Sequence, residues 1–228
     1  MSTRRTDYRY FDVVMAAFVI VLCVSSTAGG PKVTQVWGLT VGAGIFFYPF
    51  IYIFNDVLTE VYGYAHSRRA VWMGFAGLFF ASVMTLVITW LPPAPDWKDQ
   101  AAYITVFGQT PRIVLASLVA FAAGEFVNAY VLAKMKIFQE GQHLWMRTIG
   151  SSVVGVAVDA LVFYPCAFYG TWPMALLLTV MGTEYLLKVG GEVVFTPITY
   201  QVIGFLKRAE HEDYYDRDTD FNPFALEV

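Results

Sequence analysis

Between residues 11 and 205 the chain is a succession of apolar blocks, each about 20 residues long, divided by short connectors that carry most of the charge. A helix of that length rises roughly 30 Å, the thickness of a bilayer's hydrocarbon core. The pattern predicts an all-α, polytopic membrane protein. Composition agrees: 57% of the 228 residues are hydrophobic and 14% charged, against about 25% charged in a soluble domain.

Six membrane-spanning helices are expected, over residues 11–28, 37–57, 70–90, 112–134, 148–168 and 173–205. The first block exceeds the apolar core of a signal peptide, so it is expected to be retained. Pro49 should kink the second helix and Pro165 should bend the end of the fifth. The sixth is longer than one crossing needs, which predicts a tilt, a break at Gly190 and Gly191, or a bend at Pro197. Residues 96–111 form a short polar connector, with Trp97 and Tyr103 suited to the membrane interface.

Orientation follows from the basic residues. A cytoplasmic amino terminus places Arg4, Arg5, Arg9, Arg68, Arg69, Lys134, Lys136, Arg147, Lys207, Arg208 and Arg217 inside, and only Lys32, Lys98 and Arg112 outside. Both termini are therefore expected in the cytoplasm. A transmembrane domain over 1–208 precedes a tail, 209–228, with seven acids against Arg217 alone. Such a tail should be solvated and mobile. Its last residues, Leu226, Glu227 and Val228, resemble the start of an engineered protease site and carry no functional weight.

Without the tail the body has 14 basic and 11 acidic residues, and no clustered basic face of the kind nucleic acid requires. Cys23 and Cys166 have no metal-ligand spacing and are expected to be packing residues. The three histidines, His66, His143 and His211, fall in connectors or the tail, so no helix offers a haem or metal ligand. No Gly-Xaa-Ser-Gly turn accompanies a membrane histidine. Neither an enzyme nor a cofactor is expected.

The blocks are not purely apolar, and the exceptions point to a site. Residues 48–63 read YPFIYIFNDVLTEVYG, and helical spacing puts Tyr48, Tyr52, Asp56 and Glu60 on one face, with Asn55 and Thr59 beside them. Glu125 and Asn128 share a face of the fourth helix. Asp159 lies in the fifth, and Glu184, Lys188 and Glu192 recur every four residues along the sixth. Acids exposed to lipid cost several kcal/mol, so these faces must look inward. Lys188 can neutralise one neighbour fully, leaving either a self-paired strip or a site. Asp159 has no base within a turn, so it pairs with Lys188 across helices or is protonated. The repeat of Gly-Glu-Xaa-Val at residues 124–127 and 191–194 hints at an internal duplication.

Phe54-Asn55-Asp56-Val57-Leu58-Thr59-Glu60-Val61-Tyr62-Gly63 resembles the signature of the queuosine precursor transporter family, formerly grouped as predicted vitamin uptake transporters. The resemblance extends to Gly124-Glu125-Phe126-Val127-Asn128, to residues 147–159 and to Gly191-Glu192. It implies import of 7-cyano-7-deazaguanine or 7-aminomethyl-7-deazaguanine across a bacterial inner membrane, to feed tRNA modification. It also implies a six-helix fold similar to the substrate-binding components of energy-coupling-factor transporters. The alternative is a binding component for a vitamin-like molecule that needs an ATP-driven module; a homodimer is compatible with either. On this reading Glu125, Asn128, Asp159 and Glu192 form a midplane substrate site with Lys188 balancing charge, and Tyr48 and Tyr52 line the path. Asn55, Asp56, Glu60 and Glu184 form a gate or charge network, with Asp56 and Glu60 facing the loop that bears Arg68 and Arg69.

Overall fold

The computed structural model describes residues 8–29, 32–36, 39–108 and 111–225. Seven α-helices follow in order: α1 Phe11–Val24, α2 Tyr48–Tyr62, α3 Tyr64–Trp90, α4 Gln100–Phe107, α5 Pro111–Phe138, α6 Leu144–Phe168 and α7 Met174–Glu210. Among the described residues five stretches are long and apolar enough to cross a membrane: Phe11–Gly29, Tyr64–Trp90, Gln100–Phe138, Leu144–Phe168 and Met174–Glu210. Large apolar side chains such as Ile20, Phe80, Leu161, Leu186 and Val194 are exposed on these helices, as expected of surfaces solvated by lipid. The chain is an α-helical, multi-pass membrane protein.

The second expected helix is the main departure. Instead of starting near residue 37, the chain forms a π turn at Ser25–Gly29, a hairpin of β1 Val33–Val36 with β2 Leu39–Gly42, and a 3-10 turn at Ala43–Phe47 that runs directly into α2. The strands are antiparallel, with Val33 opposite Gly42 and Val36 opposite Leu39. Pro49 lies in the first turn of α2, where its missing N–H costs nothing and its fixed φ favours the helix. It starts the helix and does not kink it. With 15 residues α2 is too short to span alone, but α2 and the 3-10 turn together rise about 32 Å.

The other elements differ less. A short helix, α4, replaces part of the polar connector. α7 is one unbroken 37-residue helix through Gly190, Gly191 and Pro197. Only Gly63 separates α2 from α3. It adopts φ +86°, and a Cβ there would meet the Tyr214 ring at 2.3 Å, so glycine alone satisfies both backbone and space.

The apolar core lies where α1, α2, α3 and α7 meet, around Phe18, Val57, Leu58, Val61, Tyr62, Val71 and Ile203. Beside it α5 and α6 pack against each other through glycine. A Cβ on Gly155 would lie 2.7 Å from Asn128 Cβ, and one on Gly124 would lie 2.9 Å from Asp159 Cβ. The small residues let the polar side chains of two helices approach. Cys23 and Cys166 are free thiols.

The tail, as far as it is described, to Ala225, is packed on the protein and departs from the expected solvated, mobile segment. It folds back across the end of the bundle that carries the start of α1, α3 and α6. Both carboxylate oxygens of Asp216 accept the Tyr64 N–H, each at 3.0 Å. Arg68 donates to the carbonyls of Asp220 and Asn222, at 2.9 and 2.8 Å, and Trp72 donates to that of Pro223 at 2.8 Å. Acids find a place here because the free N–H groups at the start of α3 and nearby cations favour negative charge. Burial pushes the Asp216 carboxyl above its ordinary range, against the bonds from Thr219 and Tyr64. Residues 226–228 and Arg4 and Arg5 lie outside the described residues.

Candidate functional site

A cavity of about 530 Å³ opens among α2, α3, α5, α6 and α7 and extends toward the hairpin. Of the eleven expected site residues, seven line it: Tyr48, Tyr52, Glu125, Asn128, Asp159, Glu184 and Lys188. Asn55, Asp56, Glu60 and Glu192 are absent from its wall. The reason is visible along α2, where successive turns of one face pass through three layers. Tyr48 and Tyr52 face the cavity, Asp56 lies beneath its floor, and Glu60 reaches the far end of the bundle.

In the cavity, the question left open for Asp159 is answered: Lys188 Nζ donates to its Oδ2 at 2.8 Å, across from α7 to α6. The same ammonium lies 3.9 Å from the centre of the Tyr48 ring, a cation–π contact strengthened by burial. Lys188 is therefore not part of a self-paired strip on its own helix. Glu184 instead lies beside the backbone of Gly42 at the hairpin. Tyr48 and Tyr52 have ring centres 6.0 Å apart.

Glu125 and Asn128 are the unspent groups. Both are at least nine-tenths buried. Glu125 Oε2 and both polar atoms of the Asn128 amide have no hydrogen-bond partner. A buried polar atom without a partner costs roughly 1–3 kcal/mol, which makes these atoms natural contacts for a ligand.

The opposite end of the bundle is shut. Glu60, fully buried, takes two bonds from Arg147 of α6, Nε to Oε2 at 2.8 Å and an amino nitrogen to Oε1 at 2.7 Å. Lys207 of α7 adds a bond at 2.6 Å. Lys136 of α5 binds the Glu60 carbonyl at 2.7 Å and lies 3.5 Å from its carboxylate. Asp213 of the tail bridges Lys136 and Lys207 at 2.6 and 2.7 Å. Burial acts to raise the Asp213 carboxyl, and the bonds from Lys136 and Lys207 outweigh it and hold it below its ordinary value. Glu60 thus ties together α5, α6 and α7. The expected pairing with Arg68 and Arg69 is not formed, because Arg68 is turned to the tail.

Asn55 serves packing: its Oδ1 accepts the Ser67 hydroxyl at 3.0 Å, joining α2 to α3. Glu192 faces Asp56 behind the cavity floor. Sequence reasoning missed the outer wall of the cavity, which includes Ser25, Thr27, Phe107, Phe121, Phe168 and Trp172. Phe168 and Trp172 stack at 3.9 Å and 11°; their four-residue spacing at the end of α6 was the available signal.

A family model described as "Putative vitamin uptake transporter" matches residues 42–202. The chain is 34% identical over 170 residues to the "Probable queuosine precursor transporter" of Bacillus subtilis strain 168, covering 74% of each chain. It is 26% identical over 164 residues to the "Queuosine precursor transporter" of Escherichia coli strain K12, covering 70% of this chain and 71% of the relative. No solved structure matches it. The matched region takes in α2 with all three of its layers and the cavity residues of α5, α6 and α7, and on these similarities the chain belongs to the queuosine precursor transporter family.

Proposed function

We propose that this chain imports a queuosine precursor, 7-cyano-7-deazaguanine or 7-aminomethyl-7-deazaguanine, through the cavity bounded by Tyr48, Tyr52, Glu125, Asn128, Asp159 and Lys188. The observation that carries the reading is the pair of buried, unpartnered groups, Glu125 and Asn128, side by side in the wall of one cavity. A deazaguanine presents a ring N–H and an exocyclic amine in one plane, which a carboxylate accepts at two points. The neighbouring carbonyl of the base can take the Asn128 amide N–H. Tyr52 offers an aromatic face to the flat ring. The cavity volume falls within the ~300–1,000 Å³ usual for small-molecule sites.

On this reading α2 and its 3-10 turn form a sixth crossing, and both termini are cytoplasmic. The cavity then opens toward the outside and the Glu60 cluster closes the inside, the arrangement of an importer ready to load. The test is expression in bacteria that can neither make the precursor nor import it. Queuosine should return to their tRNA when either precursor is supplied, and its absence despite membrane-inserted protein would overturn the reading. Uptake by the purified chain alone in liposomes distinguishes a self-sufficient transporter from a binding component that needs an ATP-driven module. Glu125→Gln should reduce substrate affinity about 10–100-fold, the worth of one charge-assisted contact.

A further inference from the structure

Between the cavity and the Glu60 cluster lies a second polar layer with no assigned role. Asp56 of α2 and Glu192 of α7 are both fully buried and face each other, with the Asn128 amide against Asp56. None of the four carboxylate oxygens has a well-formed hydrogen bond among the described residues. Asn128 is 1% exposed, and neither of its polar atoms has a partner. It belongs to both layers, since it also lines the cavity.

Among the described residues the surroundings offer the pair no neutralising cation. From α5 the nearest ionisable group is Glu125, and from α2 itself it is Glu60. Lys188, one turn before Glu192 on α7, is bonded to Asp159 of α6. Arg147, Lys136 and Lys207 are bonded to Glu60. From α3 the Ser67 hydroxyl donates to Asn55 and accepts from Thr59, while Arg68 is turned to the tail. On α1, Asp12 is exposed. Two facing carboxylates in a low-dielectric setting cannot both stay ionised, and they share a proton that belongs to the pair and to neither residue alone.

We propose that Asp56 and Glu192 form a proton-binding site that couples proton entry to substrate movement. This deepens the transport reading above and rests on it. The proton reaches the pair from the cavity past Asn128 and bridges one carboxyl O–H to the opposing carboxylate. No covalent bond changes: the proton is taken up from the cavity side and released on the Glu60 side. Both carboxyls are held by the two helices that also carry the cavity residues Tyr52 and Lys188. Occupancy by the proton, which removes the repulsion between α2 and α7, therefore changes how closely those helices pack under a bound substrate. Among the described residues no third acid, histidine or cysteine joins the pair to make a divalent-metal set.

Two measurements test this on the full chain in lipid. Infrared titration should show buried protonated carboxyl absorption near neutral pH, one component of which is lost or shifted in both Asp56→Asn and Glu192→Gln. A wild-type spectrum without such absorption, or a spectrum unchanged by both substitutions, overturns the site. In proteoliposomes clamped at zero membrane potential, an inward proton gradient should speed wild-type precursor uptake several-fold. In either variant the ratio of rates with and without the gradient should fall to one, whatever the absolute rate. Wild-type uptake that ignores the proton gradient, or answers only to a sodium gradient, overturns the coupling. A wild-type chain that moves no precursor refutes the transport reading and the coupling built on it, while the infrared titration still decides the proton site.

Discussion

Replacing Glu60 with glutamine removes one negative charge from the most connected point of the structure. The carboxylate is fully buried and takes two bonds from Arg147 and one from Lys207, while Lys136 lies 3.5 Å away. Glutamine keeps the shape but turns an NH₂ donor toward groups that are themselves donors. Lys136 and Lys207 then share Asp213, whose side chain is 45% exposed, and Arg147 loses its carboxylate. Removing one partner of a buried ion pair costs about 3–5 kcal/mol, while an exposed carboxylate contributes at most about 1 kcal/mol. The expected result is therefore a large loss for Glu60→Gln and a small one for Asp213→Asn. Followed by thermal unfolding in detergent, the first should lower the midpoint by about 10 °C and the second by no more than about 4 °C. A double-mutant cycle with Arg147→Met should show strong coupling to Glu60. Equal small losses for Glu60→Gln and Asp213→Asn would refute the idea that Glu60 organises this end of the bundle.

Three further outcomes are expected. Gly155→Ala places a methyl group 2.7 Å from Asn128 Cβ and 2.9 Å from the Gly124 carbonyl; it should destabilise the protein by about 1–3 kcal/mol and reduce precursor uptake at equal expression. Asp159→Asn leaves the Lys188 ammonium in the cavity without its carboxylate, so uptake should fall at least tenfold, the scale of one lost charge-assisted bond, and Asp159→Asn with Lys188→Met should be more stable to heat than Asp159→Asn alone. Because Asp213 titrates below its usual value of about 3.9 in the fold, its stabilisation is complete above that value and lost as pH falls through the lower one. Asp213→Asn should therefore lower stability by its full, small amount at neutral pH and flatten the acid limb of a stability–pH profile below about pH 4, so that variant and wild type converge in acid.

Which features were legible in the sequence follows from how local their causes are. Five of the six expected apolar blocks and the shared face of Tyr48, Tyr52, Asp56 and Glu60 are set by helical spacing, and these stand in the described residues. The start of α2 was misplaced because residues 33–47 are apolar in short runs, and such runs do not distinguish a hairpin from a helix. Glu60 was seen to need a partner, but its partners come from three helices 76 to 147 positions away, where no spacing rule reaches. Asp159 and Lys188 were within reach because Lys188 was the one base deep in a block and Asp159 had no base within a turn of its own helix. The tail's acidity suggested solvent. What composition did not show is that the start of α3 and the cations of α3, α5 and α7 meet at one end of the bundle to receive it.

The brevity and polarity of α2 bear on how the protein is made. Among the described residues α2 is the one core helix outside the five stretches apolar and long enough to cross a membrane, and it carries two buried acids near its end. Emerging from the ribosome, it precedes every group that later satisfies those acids: Lys136, Arg147, Glu192 and Lys207 are all still to be synthesised. Its settled place in the bilayer therefore depends on helices that follow it. Biogenesis must hold α2 in a polar or interfacial position until α5, α6 and α7 arrive, and the seal at the basic end closes only when synthesis has passed Lys207.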